Sequence, residues 1–159
     1  MLLHTRPAIL ANVKGPFQGL HARALCHATE DPEKVKLALS TAIGYEDISV
    51  SRTEGHHGNS IHVLEAHVDD EAAIRRFFEK MESDDLAEIL RTLESRMDDK
   101  CALFIRLDKQ SAFTGTTKLG RNDDVISVRL RVRAYPSKFS VASGIVTEFI
   151  EGLMKDRAA

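Results

Sequence analysis

The sequence predicts an α+β fold in which a largely antiparallel or mixed sheet of about five strands carries helices on one face. Two patterns lead to this prediction. Several segments are apolar at alternate positions, the period of a half-buried strand, and others are apolar at i, i+3, i+4 and i+7, the period of an amphipathic helix. The helical segments cluster in the middle and at the end of the chain, so the opposite face of the sheet should stay open.

The N-terminal segment, residues 1–17, shows no periodicity and contains prolines and glycine, so we predict a tail or extension there. The rest, 18–157, is predicted to form a single domain. Its first strand covers 20–28, where Ala22, Ala24 and Cys26 point to one side. The residues between them, which include His21 and Arg23, point to the other.

The first helix is predicted over 29–44 from its start and stop signals. Thr29 or Asp31 caps it, Pro32 fits the first turn and Gly44 ends it. The later elements are strands over 47–52 and 59–68, helices that start at Asp69 and Ser83, strands over 100–108 and 125–135, and a helix capped by Ser140.

Composition narrows the class of protein. The chain has 43% hydrophobic and 29% charged residues, which is typical of a soluble globular domain. No apolar run approaches the roughly 20 residues of a membrane span, and Arg6-Pro7 interrupts any signal peptide, so a cytoplasmic protein with no membrane partner is predicted. The two cysteines, Cys26 and Cys101, lie far apart and suit reduced thiols, with a disulfide between strands as the alternative.

Charge is segregated along the chain although its sum is near zero. Residues 1–99 hold 11 Lys and Arg against 18 Asp and Glu, whereas residues 100–139 hold 9 against 3. Such a split predicts a basic surface that suits a polyanionic partner.

An arginine ladder is the clearest signal within the basic segment. Arg129, Arg131 and Arg133 alternate with apolar residues, which places all three on one strand face at about 6–7 Å intervals. No acid lies between them, so the charges repel one another unless an anion lies across them. The alternative is a solvated sheet face whose acids come from a neighbouring strand.

The segment before the ladder combines cations, an amide and an aromatic ring. Proteins that bind single-stranded RNA use such groups to contact phosphates, to bind base edges and to stack on bases. A loop with two glycines between the second and third strands adds side-chain donors to a sugar-phosphate backbone. Candidate RNA contacts outside the ladder are Arg106, Lys109, Gln110, Phe113 and Lys118, and in the loop His56, His57 and Asn59. Phe104 shares a strand face with Arg106, but it suits the core equally well.

Catalytic and metal-binding motifs are not recognisable in the sequence. The histidines lack HxxxH or HExxH spacing, so no metal ligand and no cofactor are predicted. A nuclease that holds Mg²⁺ between Asp108, Asp123 and Asp124 is one alternative. A turn at Asp123-Asp124 and an ion pair from Asp108 to Arg106 or Lys109 explain the same residues.

Three stretches carry a family resemblance: HATEDPEKVKLAL, GHHGNSIHVLEA and LFIRLDKQSAFTGTTKL…DDVISVRLRV. Over about residues 20–135 the chain resembles the archaeal family of RNA-binding proteins and predicted exosome subunits, whose fold is similar to ribosomal protein L-five. The resemblance implies a ribosomal-protein-like fold and a role in RNA processing, degradation or translation. It marks residues 27–31, 55–59 and 106–110 within this sequence.

Together these observations predict a non-catalytic RNA-binding protein. Exosome or ribosome components are the further partners that the resemblance implies. The alternative is an adaptor or homodimer, in which the acidic helical part of one copy complements the basic part of another.

Overall fold

The computed structural model describes residues 15–55 and 58–158. It confirms the predicted class, because five antiparallel strands form one sheet in the order β2-β3-β1-β5-β4 and helices cover it. The elements in chain order are β1 (Phe17–Cys26), α1 (Pro32–Ile43), β2 (Ser49–Glu54), β3 (Ser60–Val68), α2 (Glu71–Glu79), α3 (Ser83–Arg91), α4 (Leu93–Arg96), β4 (Ala102–Asp108), α5 (Lys109–Phe113), β5 (Val125–Val132) and α6 (Phe139–Ala158).

The core lies between one face of the sheet and the helices. Alternate residues of the strands, such as Ala22, Leu64 and Leu130, are fully buried against helical side chains that include Phe77 and Val146. Strand periodicity then directs the intervening residues to the opposite face, which the helices leave uncovered. This second side of the sheet is called the open face below.

The N-terminal boundary differs from the prediction. β1 begins at Phe17, whose side chain is only 2% exposed and stacks on Phe78 with ring centroids 5.2 Å apart. A residue assigned to the tail is therefore part of the core. The rest of the predicted tail, residues 1–14, lies outside the described residues.

The capping signals in the sequence predict the ends of the first helix correctly, whereas the later helices differ more from the prediction. The Asp31 side chain accepts a hydrogen bond from the Glu33 amide, and Gly44 ends α1 in the left-handed conformation at φ 69°. The single helix predicted from Ser83 divides into α3 and α4, because Thr92 leaves helical geometry. Among the described residues, no helix is long and apolar enough to cross a membrane.

Candidate nucleic-acid interface

The open face brings planar and cationic side chains into one row across four strands. In the register of the sheet, Phe104 on β4 lies opposite Arg129 on β5, which lies opposite His21 on β1 and then His67 on β3. All four positions alternate with buried neighbours, so their side chains share this face.

Three guanidinium groups on the open face have no partner within the described residues. Arg23, Arg129 and Arg131 make neither an ion pair nor a side-chain hydrogen bond there. Arg23 lies on β1, which pairs with β5, and it lies opposite Ser127, two residues before Arg129 on the same face. Glu65 lies opposite Arg23 but contacts His21, and Asp69 lies near Arg129 and Arg131 without an ion pair to either. Cations that lie together without ion-pair partners attract a polyanion.

Arg106 is a fourth arginine on this face and is more loosely engaged. Its guanidinium donates a hydrogen bond to the Asn122 carbonyl at 3.2 Å and lies 3.9 Å from the carboxylate of Asp123. Both side chains are exposed, so solvent screens the pair and leaves Arg106 available to another anion.

Phe104 is directed outward rather than into the core. Its side chain is 42% exposed, whereas its strand neighbours Leu103 and Ile105 are fully buried. An exposed ring next to Arg129 offers a stacking surface beside a cation, which is the combination used for single-stranded bases.

A shallow pocket of about 320 Å³ opens on this face. Its walls include Arg129 and Arg131 on one side and His21, His67 and Asp69 on the other. The pocket therefore joins the arginines to a pair of imidazoles.

Arg133 does not belong to the ladder, contrary to the prediction. Its Nη1 atom donates hydrogen bonds to the carbonyls of Gly15 and Phe17 at 2.6 and 2.8 Å and lies 3.1 Å from a carboxylate oxygen of Glu71. β5 ends at Val132, so the alternation does not extend to residue 133. Arg133 fastens the start of β1 to α2.

Lys109 is predicted from the sequence to contact RNA at the surface, but the structure places it in the interior. The side chain is 1% exposed. Its ammonium donates to the Leu25 carbonyl at 2.6 Å, to Glu30 at 2.8 Å and to Asp124 at 3.2 Å. The segment that begins with Lys109 is the helical turn α5, and three acceptors use all three ammonium hydrogens.

Asp124, the acid beside this lysine, has a pKa below its ordinary value. Partial burial alone would raise the pKa of Asp124, but hydrogen bonds from Gln110 and Lys109 and the charge of Lys109 outweigh it and hold that pKa below its ordinary value. Asp124 is thus kept ionised as the counter-ion of a buried cation. Burial, aided by Glu30, raises the pKa of the nearby Cys26 thiol, so that thiol stays protonated and unreactive at neutral pH.

The other candidates from this segment contact helices or the Lys109 cluster rather than the open-face arginines. Phe113 is 38% exposed, and with Gln110 it lines a groove against Lys34 and Leu37 of α1. Lys118 lies 3.6 Å from Glu82, next to the start of α3. Within the described residues, none of these three side chains therefore forms a hydrogen bond or ion pair that joins it to the arginines with which the sequence grouped it.

Asn59 lies across the sheet from the ladder. Asn59 is exposed beside β3, and the order of strands places β1 between β3 and β5. The predicted contacts His56 and His57 lie outside the described residues.

The carboxylates of the nuclease alternative do not converge on a shared ion. Asp108 caps α5 by accepting hydrogen bonds from the backbone and hydroxyl of Ser111, and Asp124 is bonded to Lys109. Asp123 is fully exposed beside Arg106. Two of the three carboxylates therefore have structural partners.

Sequence reasoning missed two features of the open face. The alternation in β1 had placed His21 and Arg23 on its polar side, but no local signal says which strand lies next to them. The same is true of Glu65 and His67, which β3 brings beside His21 from more than 40 residues away.

Comparison with known proteins gives the family. A family model described as RNA binding matches residues 20–132, which is most of the chain. The chain belongs to this family. The matched span contains all five strands except the first residues of β1, and it includes every open-face arginine.

Proteins similar to this chain include several from archaea. The chain is 36% identical over 143 residues to the RNA-binding protein PAB1135 of Pyrococcus abyssi, covering 84% of this chain and 93% of that protein. Two solved structures of proteins grouped as DUF54 are also similar. Protein AF2318 of Archaeoglobus fulgidus has 37% identity and a TM-score of 0.75, with 84% of this chain and 99% of that chain covered. Mth689 of Methanothermobacter thermautotrophicus has 34% identity and a TM-score of 0.75, with 85% and 98% covered.

Proposed function

We propose that the open face binds single-stranded RNA without catalysing a reaction on it. The observation that carries the proposal is a group of three guanidiniums that have no partner among the described residues, Arg23, Arg129 and Arg131, beside the exposed ring of Phe104. Guanidiniums neutralise phosphates, and an outward aromatic ring stacks on a base. Membership of the RNA-binding family and the name of the Pyrococcus relative support the same conclusion.

A sheet suits a single strand better than a duplex. The face is broad, its cations lie on neighbouring strands, and its aromatic ring needs an unstacked base as partner. Four arginines, with Arg106 as the fourth, provide up to four phosphate contacts. At about 0.7 per contact for a single strand, the logarithm of the binding constant should fall with the logarithm of salt with a slope of about −2.8.

The test is a titration of a short single-stranded RNA at several salt concentrations in the presence of EDTA. Wild type should lose roughly 50-fold in affinity between about 50 and 200 mM salt, whereas Arg129→Ala/Arg131→Ala should lose only about 7-fold, because two contacts are gone. A slope that is the same in wild type and this double variant would overturn the proposal.

Two controls make the test specific to the open face. Arg76→Ala/Arg91→Ala removes the same charge from exposed positions of α2 and α3, so its slope should match the wild type. Arg133→Ala should also keep the wild-type slope, since its guanidinium already contacts Glu71 and two carbonyls. An equal loss of slope in all variants would indicate net charge rather than a site.

The finer parts of the predicted role stay predictions. They are association with the exosome, a ribosomal-protein-like fold close to L-five, binding to ribosome components, a homodimer or adaptor, and a cytoplasmic location. If the titration shows no RNA binding at low salt, the adaptor becomes the leading hypothesis, and the arginines are its docking surface.

A further inference from the structure

Two imidazoles and a carboxylate meet on the open face where β1 pairs with β3. His21 lies opposite His67 in the register, and Glu65 lies two residues before His67 on the same face of β3. The two rings stack with centroids 4.4 Å apart and planes 15° from parallel. Nε2 of His21 lies 2.6 Å from a carboxylate oxygen of Glu65.

These three side chains can converge on one ion. Each offers one ligand atom, and all three atoms lie within 4.8 Å of one another. Ligand atoms about 2.1 Å from a tetrahedral ion are about 3.4 Å apart, so the His21–Glu65 pair must open slightly. The lone pair of each imidazole nitrogen lies in the plane of its ring, so at least one of the two nearly parallel rings must also turn toward the ion. His67 is exposed, and His21 and Glu65 are 25% and 32% exposed, which leaves room for this rotation.

We propose that His21, Glu65 and His67 bind a borderline divalent transition-metal ion of the zinc class. Imidazole nitrogen is a preferred ligand of Zn²⁺, Co²⁺ and Ni²⁺, whereas Mg²⁺ and Ca²⁺ prefer sites made only of oxygen. Three protein ligands leave at least one coordination position free. The two imidazoles line the pocket that also contains Arg129 and Arg131, so the free position opens beside the arginines.

Nearby charges set the expected strength of the site. Arg129 lies opposite His21, Arg23 lies opposite Glu65, and Arg131 lines the same pocket, so three cations oppose the ion. Asp69 at the pocket wall partly offsets them. We therefore expect micromolar affinity rather than the tighter binding of a closed four-ligand zinc site.

The first experiment is calorimetric titration of the full chain with ZnCl₂, without RNA, and a parallel Co²⁺ titration followed by visible absorption. One ion should bind per chain, and Mg²⁺ in large excess should not displace it. His67→Ala should weaken binding at least tenfold. Because His67 is exposed, this variant should retain its fold, which circular dichroism can verify.

His62→Ala is the matched control, since His62 lies on the same strand but on the opposite face of the sheet. Its zinc affinity should equal that of the wild type. The proposal is overturned if no ion binds, or if binding survives His67→Ala and His21→Ala but is lost in His56→Ala/His57→Ala. The two proposals are tested separately, because the RNA titrations contain EDTA and the metal titrations contain no RNA.

Discussion

The basic residues of segment 100–139 divide into two populations with opposite surroundings. On the open face, Arg129 and Arg131 have no partner among the described residues and contact solvent. Under the end of β1, Lys109 is 1% exposed and bonded to two carboxylates and a carbonyl. Positive charges from one stretch of sequence are thus exposed on a surface in one case and paired in the interior in the other.

This comparison teaches that a basic segment is not itself a binding surface. The difference lies in the acids that each cation meets in space. Glu30 reaches Lys109 from 79 residues away, and Glu71 reaches Arg133 from 62 residues away. Asp69 lines the same pocket as Arg129 and Arg131, but within the described part of the chain neither arginine forms an ion pair, so their charge remains available to an external anion.

Replacing the buried cation should give the largest effect. We expect Lys109→Met to lower the free energy of unfolding by about 2–4 kcal/mol, because it leaves Glu30 and Asp124 without their counter-ion; partial exposure of both acids limits the loss. Urea unfolding measures it. Lys118→Met, at an exposed ion pair, should cost less than about 0.5 kcal/mol.

The two populations would be wrongly assigned if Lys109→Met kept the stability of the wild type and instead lost RNA affinity. At a temperature where the variant is folded, its salt slope for RNA should equal that of the wild type.

Removal of the outward ring should give the next largest effect. Phe104→Ala should weaken single-stranded RNA binding by about 1–3 kcal/mol, or roughly 5- to 150-fold, through loss of one stacked base. Its salt slope should not change, because no phosphate contact is removed. Phe113→Ala is the matched control, since that ring is similarly exposed but lies in the α1 groove. Equal losses in the two variants would contradict an RNA site confined to the open face.

Acid should give the smallest effect. Because the pKa of Asp124 is lower in the folded chain than its unfolded value of about 3.9, its contribution to stability is present above that value and is lost as pH falls through the folded pKa. The side chain is 39% exposed, so screening should keep this contribution below about 1 kcal/mol. Urea unfolding of wild type and Asp124→Asn should differ at neutral pH; the gap should begin to close below about pH 4 and disappear once the pH lies below the folded pKa. A gap that persists in acid would show that Asp124 acts through neutral hydrogen bonds instead.

Prediction from sequence succeeded where the signal was local. The caps of α1 and the alternation of β5 depend on residues within a few positions of one another, and the structure has both. Prediction failed at Lys109 and Arg133, whose partners come from distant segments. Phe17 was misplaced because a single apolar residue after Pro16 has no period to reveal its burial.

The sequence by itself determined the α+β class, the helix-covered core and the outward direction of Arg129 and Arg131. These follow from side-chain periodicity, which each strand or helix expresses independently of its neighbours. Tertiary structure alone decided that β1 lies between β3 and β5, which adds Arg23 to the arginines and places His21 beside Glu65 and His67. The physical reason is that strand order depends on burying the whole apolar face at once, so it is a property of the assembled sheet and of no single segment.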